Sequence, residues 1–390
     1  MKQNHFLLKL LAVTVLFYGC SKTSTTDVTP APSVITDTDN LVFIGAANKK
    51  MYAVDADKGT KVWEYTTIGQ IFSSPTVDNG VVYFGSDSLV YGLDAKTGNS
   101  KWLYDKNIKR SIVQASPLIV NGNIYFGTYT YASGFLNLDF FKGITLADKR
   151  ISISSGIANS NGSAGIISSP TYSNGTLFFG SFDKKIYALE NEFGAKKWSY
   201  TTRGGIYSSP LVKDNVLYVG GLDGYFYAID AVSGSLKWET NVKNDINSSP
   251  VEKDGIIYFA SLEGKVYALN TANGSIKWQT QIGASIISSP AINGNTLIIG
   301  GGLDKNIVCL NLSDGSPNWK TPLSSATASS PTVSNGNVYI GDNGGNLYSI
   351  NATTGAIKWT YASTSVFNTS SPCVLTTLGK TVVSSINGAN

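Results

Sequence analysis

The sequence predicts an all-β fold, an eight-bladed β-propeller of four-stranded antiparallel blades. Three observations predict it: a repeat of about forty residues, a composition of short strands and tight turns, and an incomplete unit at each end of the chain. The repeat is seen whole from Ser208 to Thr240, SSPLVKDNVLYVGGLDGYFYAIDAVSGSLKWET. The prolines of its opening fall at Pro75, Pro117, Pro170, Pro210, Pro250, Pro290, Pro331 and Pro372, spaced by 42, 53, 40, 40, 40, 41 and 41 residues. Only 14% of the residues are charged, while 40 are Gly and 21 are Tyr, which suits strands and turns better than long charged helices.

Within the unit, the alternation of β-branched and aromatic residues predicts strands at Leu211 to Lys213, Val216 to Gly220, Tyr225 to Asp230 and Leu236 to Thr240. Lys213-Asp214-Asn215 and Ala231-Val232-Ser233-Gly234 supply the tight connections. A single blade cannot bury both faces of its sheet, so stability must come from stacking neighbours and closing the ring. Residues 41–65 lack the Ser-Ser-Pro opening, and the last unit stops soon after SSPCVLTTLGKTVVSSI. Joining these two pieces completes an eighth blade and hides edge strands. Seven blades is the alternative if they do not combine.

Tryptophans close the units at Trp63, Trp102, Trp198, Trp238, Trp278, Trp319 and Trp359, each in the frame Ala228-x-Asp230, Gly234, Trp238. The Asp or Asn of the frame can accept from turn amides, and the small residue and Gly leave room for an indole. At these positions the chain resembles the pyrroloquinoline-quinone (PQQ) type propeller repeat, whose tryptophan-docking motif locks adjacent blades. The resemblance covers residues 41–390 and implies that the seven tryptophans are structural. It also raises the prospect of a quinone-dependent dehydrogenase. Such enzymes add long insertions, an adjacent cysteine pair and acidic calcium ligands, and no two cysteines are adjacent here. No cofactor, no metal and no catalytic residue are therefore expected. Asp223 and Asp342 lie in Gly-rich turns without the spaced ligands of a calcium loop.

Other chemistry is limited by composition. The one histidine, His5, falls in a segment expected to be removed, which leaves no Ser-His-Asp, Cys-His or His-ligated zinc site. The Ser-Ser pairs precede a proline and lack a base, so they do not read as nucleophiles. The formal charge of +4 drops to +2 once Lys2 and Lys9 leave, too little for a nucleic-acid partner.

Lys2 and Lys9 precede an apolar run from Leu10 to Phe17 that is too short to span a bilayer, followed by Gly19-Cys20. This resembles a lipoprotein signal peptide, which implies a signal over residues 1–19 and lipidation of Cys20. The alternatives are an ordinary secretory signal or an anchor helix. Residues 20–40, rich in Ser, Thr and Pro, read as a flexible tether. Cys309 and Cys373 can pair in an oxidising compartment, but their strand-interior positions in different repeats favour small buried hydrophobes.

One irregularity breaks the repeat. The step from Pro117 to Pro170 is 13 longer than the step from Pro210 to Pro250, and the Gly127 to Asp148 spacing assigns 11 of the 13 to a loop between second and third strands, Thr128 to Lys142. That loop carries Tyr129, Tyr131, Phe135, Phe140 and Phe141, and Arg110, Arg203 and Tyr207 are expected on the same ring face. Aromatics and Arg dominate binding hot spots, so these eight residues form the candidate binding surface. The competing expectation is that the aromatics fold inward and replace the tryptophan missing from that blade. In signal, length and blade number the chain is similar to the outer-membrane protein assembly factor BamB lipoproteins. That similarity implies a monomeric, non-catalytic interaction scaffold for envelope or outer-membrane proteins, lipid-anchored at the outer membrane and facing the periplasm or the cell surface. A glycan-binding surface propeller is the alternative.

Overall fold

The computed structural model describes residues 40–104, 111–130, 138–145, 151–158, 165–190, 195–367, 369–376 and 381–382, all within the second of the chain's two units, Val34–Asn390. The signal segment, Cys20 and the rest of the tether up to residue 39 lie outside the described residues, as do Arg110, Tyr131 and Phe135.

The described strands form an all-β propeller of antiparallel blades: eight sheets of four or five strands and one two-stranded ribbon. Numbered in chain order, blades 1 to 7 span residues 76–104, 118–158, 171–201, 211–241, 251–281, 291–322 and 332–362. The eighth sheet joins the two ends. Cys373–Leu375 pairs antiparallel with Leu41–Gly45, whose other neighbours are Lys50–Asp55 and then Lys61–Thr66, while Thr381–Val382 adds a fifth strand beyond Cys373–Leu375.

Local sequence explains each blade. The turn between first and second strands carries left-handed residues in pairs, such as Asp214 (φ 50°) with Asn215 (φ 58°), the backbone a two-residue hairpin needs to match strand twist. At the turn between third and fourth strands, Asp230 accepts from the amides of Val232 and Ser233 at 3.1 and 2.8 Å, and Asn351 from Thr353 and Thr354 at 2.9 Å each. The second strands are buried nearly throughout, because each is covered on both faces by neighbouring blades. Eight apolar clusters result, one at each junction between adjacent blades; Tyr218, Phe226, Ile257, Phe259 and Tyr267, for example, join blades 4 and 5.

Tryptophan docking works between blades. Trp278 pairs in register with Ala268 of its own blade, yet its indole N–H donates to the Leu312 carbonyl of blade 6 at 2.9 Å. Its ring lies over Gly315 (φ 72°), where both the left-handed backbone and the indole exclude a side chain. Trp198, Trp238, Trp319 and Trp359 repeat this on Ala231, Thr271, Ala352 and Ala56, the last across the joined ends. Trp63 does the same on Ala95. A second contact lies nearer the axis. Gly220 closes its strand against Ile246, the fully buried residue three before Ser249, and a Cβ at Gly220 would run into that side chain. Cys309 and Cys373 are free and buried, and Cys309 holds the small-residue position opposite Trp319.

Blade 2 departs from the sequence-based expectation. Leu138–Thr145 and Ile151–Ala158 form a long hairpin, so Phe140 and Phe141 belong to a strand and not to a loop. Phe141 stands opposite Gly127 as Phe226 stands opposite Gly220, which places eight of the extra residues before Phe141 and the other five after Ile153. Thr145, not Asp148, takes the place of Asp230, since it pairs with Asn123 as Asp230 pairs with Val216. The spacing misled because Asp148 was the nearest residue of the right type. Gly143 pairs with Ile153 across the same one-residue bulge that follows Ala228 and Trp238, so Ile153 occupies the register of the missing tryptophan.

Two outcomes follow from this packing. Trp278→Ala removes a buried indole and leaves the Leu312 carbonyl without its donor, and it should cost about 3–5 kcal/mol in chemical denaturation, whereas truncating exposed Leu236 (40% accessible) should change little. Burial pushes the Tyr218 and Tyr258 phenols up to about 12 from 10.0. The unfolded chain therefore loses these protons first. Their contribution should be intact below pH 10 and lost as pH rises towards 12, with the 295 nm tyrosinate signal appearing together with unfolding.

Candidate functional site: the channel mouth and loop face

The connection from each outer strand to the next blade returns to the axis on the same ring face as the turns between second and third strands. The Leu222 amide, in such a turn, donates to the Gly205 carbonyl of such a connection at 2.9 Å. Each connection ends in the Ser-Ser-Pro opening, except that blade 2 has Ala115 in place of the first serine. In the second serine of each pair the amide donates to the hydroxyl of its counterpart in the following blade. Ser74 donates to Ser116, Ser116 to Ser169, Ser169 to Ser209 and Ser209 to Ser249, at 2.9 to 3.0 Å. Ser249 donates to Ser289, Ser289 to Ser330, Ser330 to Ser371 and Ser371 back to Ser74, each at 2.9 Å. The circle closes after eight bonds. The first serine serves its own blade: Ser73, Ser168, Ser248, Ser288 and Ser329 each accept from the amide twelve residues later, at the end of the second strand.

Every serine of this collar but Ser371 lines a mouth open to solvent, together with Phe72, Gln114, Ile167, Tyr207, Asn247, Ile287, Ala328 and Thr369. No carboxylate, lysine or arginine is among these residues, and the Asn247 Oδ1 is buried without a hydrogen-bond donor. Such a lining offers hydroxyl and amide groups around apolar side chains, with no base to activate a serine. Among the described residues no group of three or more His, Cys, Asp or Glu side chains is placed to hold a metal.

Two of the candidate residues reach one cluster. The Tyr129 ring lies 6.4 Å from Phe182, and Phe182 meets Tyr207 edge-on at 6.1 Å, so an aromatic row runs from blade 2 to the mouth. Phe182 was not anticipated. Its signal is the apolar residue that other blades also place in this turn, as at Leu222 and Leu262. Tyr129 pairs with Ile112 in the ribbon, beside Gly165. Arg203 faces blade 4. Its guanidinium holds Glu239 by two bonds of 2.9 and 2.7 Å, reaches the Tyr227 hydroxyl and lies 4.1 Å above Tyr225. These partners raise its pKa further above the usual arginine range.

The Asp turns on this face are filled from within. Asp223 accepts from the amides of Arg203, Gly204 and Tyr225 and from the Tyr227 hydroxyl. Asp342 does the same for Ser325, Gly344, Asn346 and Tyr348. Both carboxylates tie a turn to the connection of the preceding blade.

Fold and collar together define a closed propeller of tryptophan-docked repeats with a polar, uncharged axial mouth. A profile of the family described as outer membrane protein assembly factor BamB matches residues 22–139, 146–286, 240–302 and 283–386, and the chain belongs to that family. Among curated relatives, the factor of that name from Moranella endobia is 25% identical over 168 residues, 42% of this chain and 43% of the relative. A β-alanine-activating enzyme from Danio rerio is 31% identical over 81 residues, 19% of this chain and 7% of the relative. The matched stretches thus span less than half of either protein. In fold, BamB from Moraxella catarrhalis aligns with a TM-score of 0.62 at 19% identity, over 83% of this chain and 91% of that one. A quinohemoprotein alcohol dehydrogenase from Pseudomonas putida aligns at 0.64 and 15%, over 80% and 68%.

The collar predicts its own weakness. Ser209→Ala leaves the buried Ser169 amide without an acceptor and should cost about 1–3 kcal/mol, seen as a lower denaturation midpoint, while Ser209→Thr, which keeps the hydroxyl, should recover part of it.

Proposed function

We propose that this chain is a non-catalytic, eight-bladed scaffold of the cell envelope that acts in the assembly of outer-membrane proteins, tethered to the membrane through a lipid on Cys20. The observation that carries this is the family match, whose stretches extend from residue 22 to residue 386. The uncharged mouth adds support, since a surface that binds polypeptide needs no base, nucleophile or metal. The partners are envelope or outer-membrane proteins, and the loop face around Tyr129, Phe182 and Tyr207 is the surface offered to them. A second reading, capture of a glycan, is favoured by that same aromatic row, because tyrosine rings beside amide and hydroxyl groups suit sugar faces and hydroxyls.

Affinity capture of the tagged full chain from detergent-solubilised envelope should recover outer-membrane assembly components, identified by mass spectrometry. Tyr207→Ala should reduce that recovery. Capture of none of them would overturn the assembly role, and a glycan-array signal lost on Tyr129→Ala would establish the second reading in its place. Cys20→Ala should release the protein to the soluble fraction and abolish incorporation of labelled palmitate.

A further inference from the structure

Every blade of a propeller ends in an outer strand with one unpaired edge, and such edges are held apart from other strands by short length, lysines and irregularity. Seven of the eight outer strands here are five or six residues long, and each carries at least one lysine: KVWEYT, SKWLY, KKWSYT, LKWETN, IKWQTQ, PNWKTP and IKWTYA. The lysine directly precedes the tryptophan at Lys101, Lys197, Lys237, Lys277 and Lys358. The outer strand of blade 2, Ile151–Ala158, is eight residues long and reads ISISSGIA, with no charged residue and no tryptophan. Among the described residues it pairs only with Leu138–Thr145 on its inner side. With Ile153 in the tryptophan register, Ser152 takes the place of the guarding lysine.

We propose that the outer edge of Ile151–Ala158 is a docking site at which an extended segment of an unfolded polypeptide adds as a further strand. The backbone of an edge strand offers amides and carbonyls at strand spacing, so the ligand it fits is another strand. An uncharged edge repels neither sign and selects segments that alternate apolar with uncharged polar residues. The strands of membrane β-barrels have that alternation. The choice of this occupant rests on the assembly role proposed above; the lysine-free sequence of the outer strand does not.

The test uses the purified full chain and a short fluorescein-labelled peptide alternating valine and tyrosine with serine and threonine, followed by anisotropy. The wild-type chain should bind it, and an analogue with every backbone amide N-methylated should not. Ser152→Lys restores the guard and should weaken binding by about tenfold or more, while Lys277→Ser, on blade 5, should leave it unchanged. Should Ser152→Lys fold poorly, Ser154→Lys takes its place, and hydrogen exchange should show peptide-dependent protection of the amides from Ile151 to Ala158. No binding, or equal binding to well-folded Ser152→Lys, overturns the proposal. So does a homodimer in sedimentation that Ser152→Lys dissolves, since the edge would then belong to a second copy. Peptide binding without capture of assembly components would overturn the assembly role and leave the edge site standing; capture without peptide binding would do the reverse.

Discussion

At the axis, each blade gives a buried amide to the hydroxyl of the next, and the eighth bond returns to the first serine. This circle sets the constraint under which everything else is arranged. Inner strands of only three residues can hold position because their entry points are fixed to both neighbours. Buried Ile71, Ile206 and Ile246 then meet Gly45, Gly180 and Gly220 at the ends of second strands, and tryptophans such as Trp278 are set over the next blade's turn. Serine collar, apolar knob and indole act at increasing radius on the same junction, so a change at one radius is felt at the other two.

Function has to be sought where that regularity is interrupted. Blade 2 lacks the indole, carries extra residues before and after its outer hairpin, and has, among the described residues, the one outer strand without a lysine. The same blade starts the aromatic row that ends at the channel mouth. The interruption therefore affects two surfaces, the rim and the loop face, without breaking the collar, since Ser116 and Ser169 keep their places in the circle.

The candidate residues show how far side-chain type goes as a guide to binding. Arg203 has the identity of a hot spot, yet Glu239, Tyr225 and Tyr227 of the adjoining blade engage it, so it serves the junction. Tyr207 was grouped with it on topology alone and does reach the mouth. The role of the second serine of each pair in the circle was invisible in the sequence, because its partners lie some forty residues away, as from Ser169 to Ser209 and from Ser209 to Ser249.

The sequence by itself determined the repeat length, the four strands of a blade, the seven docking tryptophans and the presence of a partial unit at each end. These are local or periodic properties, written in alternation, turn residues and fixed spacing. Tertiary structure alone decided the rest: which turn each indole covers, that Ile153 inherits a tryptophan's register, that Phe140 and Phe141 join a strand, and that the two ends share one sheet through Leu41–Gly45 and Cys373–Leu375. Those outcomes depend on pairing and stacking between residues distant in the chain. A spacing can count such residues, but only closure of the ring brings them together.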